Sequence, residues 1–196
     1  MKIGILGGTF NPVHNGHLAV AQAVHDQLQL DKILLIPSSN PPHKEETELI
    51  DYEDRWQMLE RAVATSSYLE ISHLDYTPEG KSYTKNLMIR LREHHPATTF
   101  YFIIGADNIS QIATWYDFPW LMKHVNFVAV TRENFERESL PDLDYFSQIT
   151  FVEMEPVNIS SSRIRQLISK GEDISSLVPP SVAQYISQKG LYLPKD

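Results

Sequence analysis

The chain reads as an α/β protein, a doubly wound parallel sheet with a small C-terminal helical lobe. Three observations predict this. Short apolar runs alternate with stretches of helical period along the 196 residues. The first run passes through a glycine turn straight into a helix. The tail, from about residue 158 to 196, carries helical patterns only. Residues 1–196 are expected to form one domain, with 1–157 supplying the sheet core. That length is enough for a sizeable core.

The first strand is Ile3, Ile5 and Leu6, an apolar run too short for a buried helix and stopped by Gly7-Gly8. Thr9 to Pro12 is turn material. Leu18, Ala21, Val24 and Leu28 then recur at steps of three or four, one face of a helix. Lys32–Ile36 is a second buried strand, ended by Pro37. A Pro-, Ser- and charge-rich loop follows, and its Pro41–Asp54 portion is a candidate lid. Trp56, Leu59, Ala62 and Val63 mark a helix, and Leu69–Ser72 a short strand. Ser82–Glu93 is a helix with Leu87 and Leu91 on one face.

Thr99–Ile104 (TFYFII) is a strong strand ending at Gly105-Ala106-Asp107. If it lies parallel and adjacent to the first strand, the Gly8–His17 and Gly105–Asp107 loops open into one crevice. Two helical pieces broken before Pro119, a strand at Asn126–Thr131, a polar loop at 132–144 and a strand at Ile149–Val152 complete the sheet. Ser160–Ser162 cap a helix bearing Ile164, Leu167 and Ile168, with Gly171 as its stop. Pro179-Pro180 opens the last helix, with Val182, Tyr185 and Ile186 on one face.

Composition narrows the function. The net charge is −8, and no basic face for nucleic acid is visible. There are no cysteines, which excludes disulfides, thiolate catalysis and thiolate-held zinc. Glycines 4, 7 and 8 break any secretory apolar segment, and no run approaches the roughly 18 apolar residues of a membrane span. A soluble cytoplasmic protein is the expectation, with no nucleic-acid or membrane partner. The sequence is compatible with a homo-oligomer and does not fix the state.

Two stretches point to anion binding. In GGTFNPVHNGH, a glycine turn meets a helix N-terminus, whose free N–H groups and partial positive charge suit a phosphate. His14 and His17, three apart, can share a face and donate to one group. In NISSSRIR (Asn158–Arg165), serines open a helix whose first turns hold arginines. On spacing alone, the commoner meaning of that second stretch is a capped surface helix with solvated arginines.

GGTFNPVHNGH resembles the signature of the nucleotidyltransferase superfamily that carries an HxGH motif. NISSSRIR resembles its C-terminal ISSTxIR motif, with Ser162 where threonine is usual. PPHK (Pro41–Lys44), SYT (Ser82–Thr84), GADN (Gly105–Asn108) and ATWY (Ala113–Tyr116) are similar to the bacterial nicotinate-nucleotide adenylyltransferase family. The likeness covers essentially the whole chain and is weakest at 45–54 and 132–146.

The resemblance implies a Rossmann-like sheet and adenylyl transfer from ATP to nicotinate mononucleotide, with Mg²⁺ bridging the phosphates. It implies His14, His17 and Arg165 as catalytic residues. It implies ATP contacts from Gly7, Gly8, Thr9, Phe10, Gly105, Asp107, Ile159, Ser161 and Ser162. It implies acceptor contacts from His43, Lys44, Tyr83, Thr84 and Trp115. Read from spacing alone, several of these have plainer roles. Trp115 is equally a core aromatic, and Asp107 equally a helix cap. Tyr83 and Thr84 read better as a packed tyrosine and a cap, and His43 and Lys44 as a solvated loop.

Other acceptors remain compatible with the motifs: nicotinamide mononucleotide, phosphopantetheine or a cytidylyl acceptor. A non-catalytic nucleotide sensor is a reading from another class, disfavoured because His14, His17 and Arg165 are all present. A zinc site on the eight histidines lacks a third ligand at familiar spacing.

Overall fold

Strand β1 (Lys2–Gly8) forms the middle of the sheet in the computed structural model, which describes residues 1–40, 49–77, 81–109, 111–132 and 147–194, with backbone alone for Ala106, Asp107 and Arg132. The other strands are β2 (Lys32–Pro37), β3 (Leu69–Ile71), β4 (Thr99–Gly105), β5 (Asn126–Arg132) and β6 (Thr150–Met154). All pairings are parallel, in the order β3-β2-β1-β4-β5-β6. The order reverses between β1 and β4, which pair with Leu6 opposite Ile103. This meets the condition for a shared crevice: the loops after both strands open at the same carboxyl-end switch point.

Alternation along the strands sends side chains to two faces. Leu6, Ile33, Leu35, Ile103, Val128 and Val152 face one apolar layer. It is covered by α1 (Asn15–Leu28), α2 (Tyr52–Val63), α6 (Ser161–Ser169) and α7 (Pro180–Lys189). Ile5, Leu34, Ile36, Phe102, Ile104 and Phe127 face the other. That layer is covered by α3 (Thr84–His94), a 3-10 turn at Ile112–Thr114 and α5 (Phe118–His124). A four-residue α4 (Ala106–Ile109) follows β4 directly. Ile164, Leu167, Val182 and Ile186 of the C-terminal helices lie in the same apolar cluster as the sheet residues.

Several boundaries differ from the sequence expectation. Helix α3 starts at Thr84, not Ser82, because Ser82 N–H donates to Asn40 C=O and is held as a clasp between loops. Helix α2 starts at Tyr52, so the expected Pro41–Asp54 loop already ends at Asp51, the residue before the helix. Pro41–Glu48 lies outside the described residues, as does most of the expected polar loop at 132–144. The break in the fourth helical stretch falls at Trp115–Asp117. Pro119 sits in the first turn of α5, where its missing N–H costs nothing. Strand β6 begins one residue later than expected and runs on to Met154. Gly171 does stop α6, with φ +71.

Candidate active site

Between β1 and α1 the chain makes a turn whose carbonyls point into the protein. Phe10 takes φ +47, rare for a side chain of its size, and its ring is buried under Gly8 and edge-on to His17 at 4.9 Å. Distant residues hold this turn from behind. Arg55 Nη1 donates to Thr9 C=O at 2.9 Å. Arg165 Nη1 donates to Asn11 C=O at 3.0 Å, and Ser161 Oγ to Pro12 C=O at 2.9 Å. Tyr192 Oη donates to Asn11 Oδ1 at 2.9 Å, and burial pushes that phenol up, so it stays a donor. With inward carbonyls tied down, the loop is a fixed platform at the mouth of α1.

The two histidines sit at that mouth in different roles. His14 is the N-cap residue and His17 is three positions on, in the first turn. Their rings stack with centroids 3.7 Å apart. The His14 backbone N–H donates to His17 Nδ1 at 3.2 Å. An accepting Nδ1 selects the tautomer with hydrogen on Nε2, so His17 offers an Nε2–H donor. His14 is only 6% exposed, and burial pushes its imidazole down to about 4, leaving it neutral at neutral pH. Among the described residues its Nδ1 has no hydrogen-bond partner. Gly16 makes this packing possible, since a Cβ there would stand 3.0 Å from His14 Nδ1.

Three cavities run in a row past this point. The first, about 490 Å³, is lined by His14, Gly16, His17, Gly105, Thr131 and the Glu155–Ile159 strap. The second, about 500 Å³, is lined by Gly7, Gly8, Thr9, Ser38, Asp75 and Trp115, among others. The third, about 580 Å³, is lined by Lys81–Thr84, Asn108 and Thr114–Tyr116, among others. His17 and Gly105 belong to both of the first two. Ser82, Thr84, Asn108 and Trp115 belong to both of the last two. Such a row suits an elongated ligand with His17 near a junction.

At the far end, helix α3 opens at Thr84 with no side-chain cap on Tyr83 and no acid in its first turn. Among the described residues nothing caps its first N–H groups, an arrangement that suits an anionic ligand group. Tyr83 packs on Tyr116 at 4.8 Å, and Trp115 meets Phe102 edge-on at 6.1 Å while lining both neighbouring cavities. Trp115 is thus both core aromatic and cavity wall.

Most of the expected residues come together. His14, His17, Gly105 and Ile159 line the first cavity; Gly7, Gly8, Thr9, Thr84 and Trp115 the second; Tyr83 the third. Phe10, expected as an ATP contact, has a buried ring and offers only backbone. Ser161 directs its hydroxyl to Pro12, so its nearest role is to brace the loop. Ser162 lies 3.5 Å from Arg165 Nη2, and neither is among the residues lining these three cavities. His43 and Lys44, and the side chain of Asp107, lie outside the described residues.

Four residues carry no site role of their own in the sequence: Asn11, Arg55, Asp75 and Tyr192. Arg55 did leave a signal. It falls on the buried stripe of α2 with Met58, Leu59 and Ala62, where a charge is out of place. Asp75 is 5% exposed and lines the second cavity, and burial pushes its carboxyl up to about 6. Nothing in the local sequence marks it.

The comparisons with known proteins agree with this geometry. The cytidylyltransferase-like family model matches residues 5–167. A relative from Streptococcus pyogenes serotype M1, a probable nicotinate-nucleotide adenylyltransferase, is 43% identical over 192 residues, covering 97% of this chain and 88% of its own. This chain belongs to that family. A family member from Lactiplantibacillus plantarum, of the same description, is 40% identical and covers 100% of this chain and 90% of its own. Among solved structures, the nicotinic acid mononucleotide adenylyltransferase of Plasmodium falciparum, complexed with NaAD, superposes with TM-score 0.80 at 24% identity, covering 97% of both chains. At that identity it shows the family's fold.

Proposed function

We propose that this chain transfers the adenylyl group of ATP to nicotinate mononucleotide, forming deamido-NAD and pyrophosphate in NAD biosynthesis. The observation that carries the reading is the row of cavities joined at His17. One end offers the histidine mouth of α1, the other an uncapped helix N-terminus beside Trp115. The family's relatives bear the same activity in their descriptions.

In this reading the acceptor's phosphate oxygen attacks the α-phosphorus of ATP. One P–O bond forms, the bond to the β-phosphate bridging oxygen breaks, and pyrophosphate leaves with that oxygen. The nucleophile is already anionic, so no general base or covalent enzyme intermediate is needed. The protein aligns two mutually repelling anions and stabilises charge on the transferred group and the leaving group. His17 Nε2–H, with the fixed N–H groups around Gly8 and Thr9, supplies donors that need no rearrangement. His14, neutral and buried, sets the tilt of His17 by stacking. Arg165 acts first by holding Asn11, and with Ser162 it can turn toward the β- and γ-phosphates.

Mg²⁺ enters with ATP as part of the substrate, where it neutralises phosphate charge. Among the described residues no three His, Cys, Asp or Glu side chains converge to hold a metal. An ion carried by phosphates and water needs few protein ligands. At the acceptor end, Trp115 presents an indole to the cationic pyridinium, worth roughly 0.5–2 kcal/mol. The first N–H groups of α3 pair with the acceptor carboxylate, which a neutral amide matches poorly.

The test is pyrophosphate release with ATP and Mg²⁺, offering nicotinate and nicotinamide mononucleotides separately. The reading predicts a strong preference for the acid. Equal rates would remove the role given to the α3 N-terminus, and release with neither would sink the acceptor assignment.

A further inference from the structure

Arg55 is 1% exposed, and the described residues place no carboxylate within ion-pair distance of it. A guanidinium does not lose its proton, so among the described residues this is a buried cation without an ion-pair partner. Its hydrogen bonds go to carbonyls: Thr9 at 2.9 Å and Ser38 at 2.7 Å from Nη1, and Ile50 at 3.3 Å from Nε. Its planar face lies over the Tyr52 ring at 5.3 Å. Burial raises the pKa of the neighbouring phenols of Tyr52 and Tyr192, so they remain uncharged and do not neutralise the cation.

Burying a charge without a partner is costly, and an apolar residue on the α2 stripe would avoid the cost. The placement suggests what offsets it. Thr9 and Ser38 both line the second cavity, and one guanidinium nitrogen grips both from behind. The grip turns two carbonyl dipoles away from the cavity and sets a fixed positive charge at its back. ATP and the acceptor phosphate are multiply charged anions, while the protein carries net −8. Arg55 sets a cation in low-dielectric surroundings behind such a site.

We infer that Arg55 is a positioning residue and a buried counter-charge for the bound phosphates, acting through the Thr9–Ser38 wall without touching them. The inference rests on the proposed phosphate site and goes beyond it, because a rivet that merely joined two loops would not need a charge.

The test separates charge from bracing. Arg55→Lys keeps the charge but not the two-carbonyl grip; Arg55→Gln keeps an amide donor but not the charge. Pyrophosphate and adenosine binding are measured by calorimetry on both variants and on the wild-type enzyme. The expected result is a loss of about tenfold or more in pyrophosphate affinity for Arg55→Gln, a clearly smaller loss for Arg55→Lys, and adenosine affinity unchanged in both. Pyrophosphate bound as tightly by Arg55→Gln as by Arg55→Lys, or adenosine weakened in step, would overturn the inference.

Should neither variant fold, the wild-type Arg55 Nε–H resonance decides. It is expected to shift on adding pyrophosphate and not adenosine, and the absence of a shift would overturn the inference. Wild-type turnover is measured alongside, so failure of the adenylyl-transfer reading is seen separately from failure of the role given to Arg55.

Discussion

The two ends of the site are built differently. The proposed phosphate end, from Gly7 to His17, is braced by residues far away in sequence: Arg55, Ser161, Arg165 and Tyr192 all bond to a single short turn. The acceptor end, around Ser82–Thr84 and Trp115, is held by side chains from loops. Ser39 Oγ accepts from Thr77 N–H at 3.0 Å, and Asn40 N–H donates to Ser82 Oγ at 3.3 Å. Lys85 pairs with Asp117 at 2.6 Å, both side chains half-buried. Fixed donors suit charge that must be met without rearrangement, and the reaction is the same whatever the acceptor. Walls of hydroxyls and aromatics suit the choice between acceptors that differ by one group.

The comparison breaks first at His17. Replacing His17 with Ala removes a preset donor, and kcat should fall by about 10²–10³-fold, with much less change in ATP affinity. Steady-state kinetics with direct ATP binding checks this; a wild-type-like kcat in a folded variant would remove His17 from the chemistry.

Trp115→Ala should act on the other end. Acceptor KM is expected to rise by about 2- to 30-fold while ATP KM stays put, the size of a lost cation–π contact. Trp115→Phe, which keeps the contacts with Phe102 and Phe127, should fall between. A rise in ATP KM instead would mean that the two ends are not separable.

Tyr192→Phe sharpens the bracing argument. It leaves Asn11 Oδ1 without this donor and should cost about 1–3 kcal/mol of stability in a denaturant melt. It should also lower kcat rather than acceptor affinity, because the phosphate loop loosens.

In the wild-type protein the smallest net effect is in pH, because two larger ones oppose each other. The folded pKa of His14 is pushed down to about 4 from 6.5, so the unfolded state binds the proton first. Its contribution is fully present above pH 6.5 and is lost as pH falls toward 4, by at most roughly 3 kcal/mol. Asp75 works the other way. Its folded pKa is pushed up to about 6 from 3.8, so stability is gained as pH falls from 6 toward 4. The two offset each other in that window. Asp75→Asn should therefore steepen the acid loss seen in thermal melts between pH 6.5 and 4, and His14→Asn should reverse its slope. Parallel curves for both variants would contradict the assignment.

Much of the phosphate end was legible because it is local. A strand, two glycines, two histidines and a helix follow one another within seventeen residues, and periodicity alone exposes them. The sheet was legible for the same reason: each strand is a short apolar run with its own stop. What braces the loop was not. Tyr192 meets Asn11 across the whole chain, and Asp75 reaches the cavity only because β3 pairs beside β2. Ser161 showed a second limit. Its motif marks it for a ligand, and only the structure shows its hydroxyl donating to the Pro12 carbonyl. Arg55 lay between these cases, visible as a misplaced charge on an apolar stripe but without meaning until Thr9 and Ser38 were seen around it.

The most direct test of this division of labour is the ratio of kcat/KM for nicotinate over nicotinamide mononucleotide, measured in wild-type and His17→Ala enzyme. The account predicts that turnover collapses in the variant while the ratio is unchanged, because selection resides at α3 and Trp115. A ratio that moves toward unity would show that the histidine end takes part in choosing the acceptor, and the separation of chemistry from selection would be wrong.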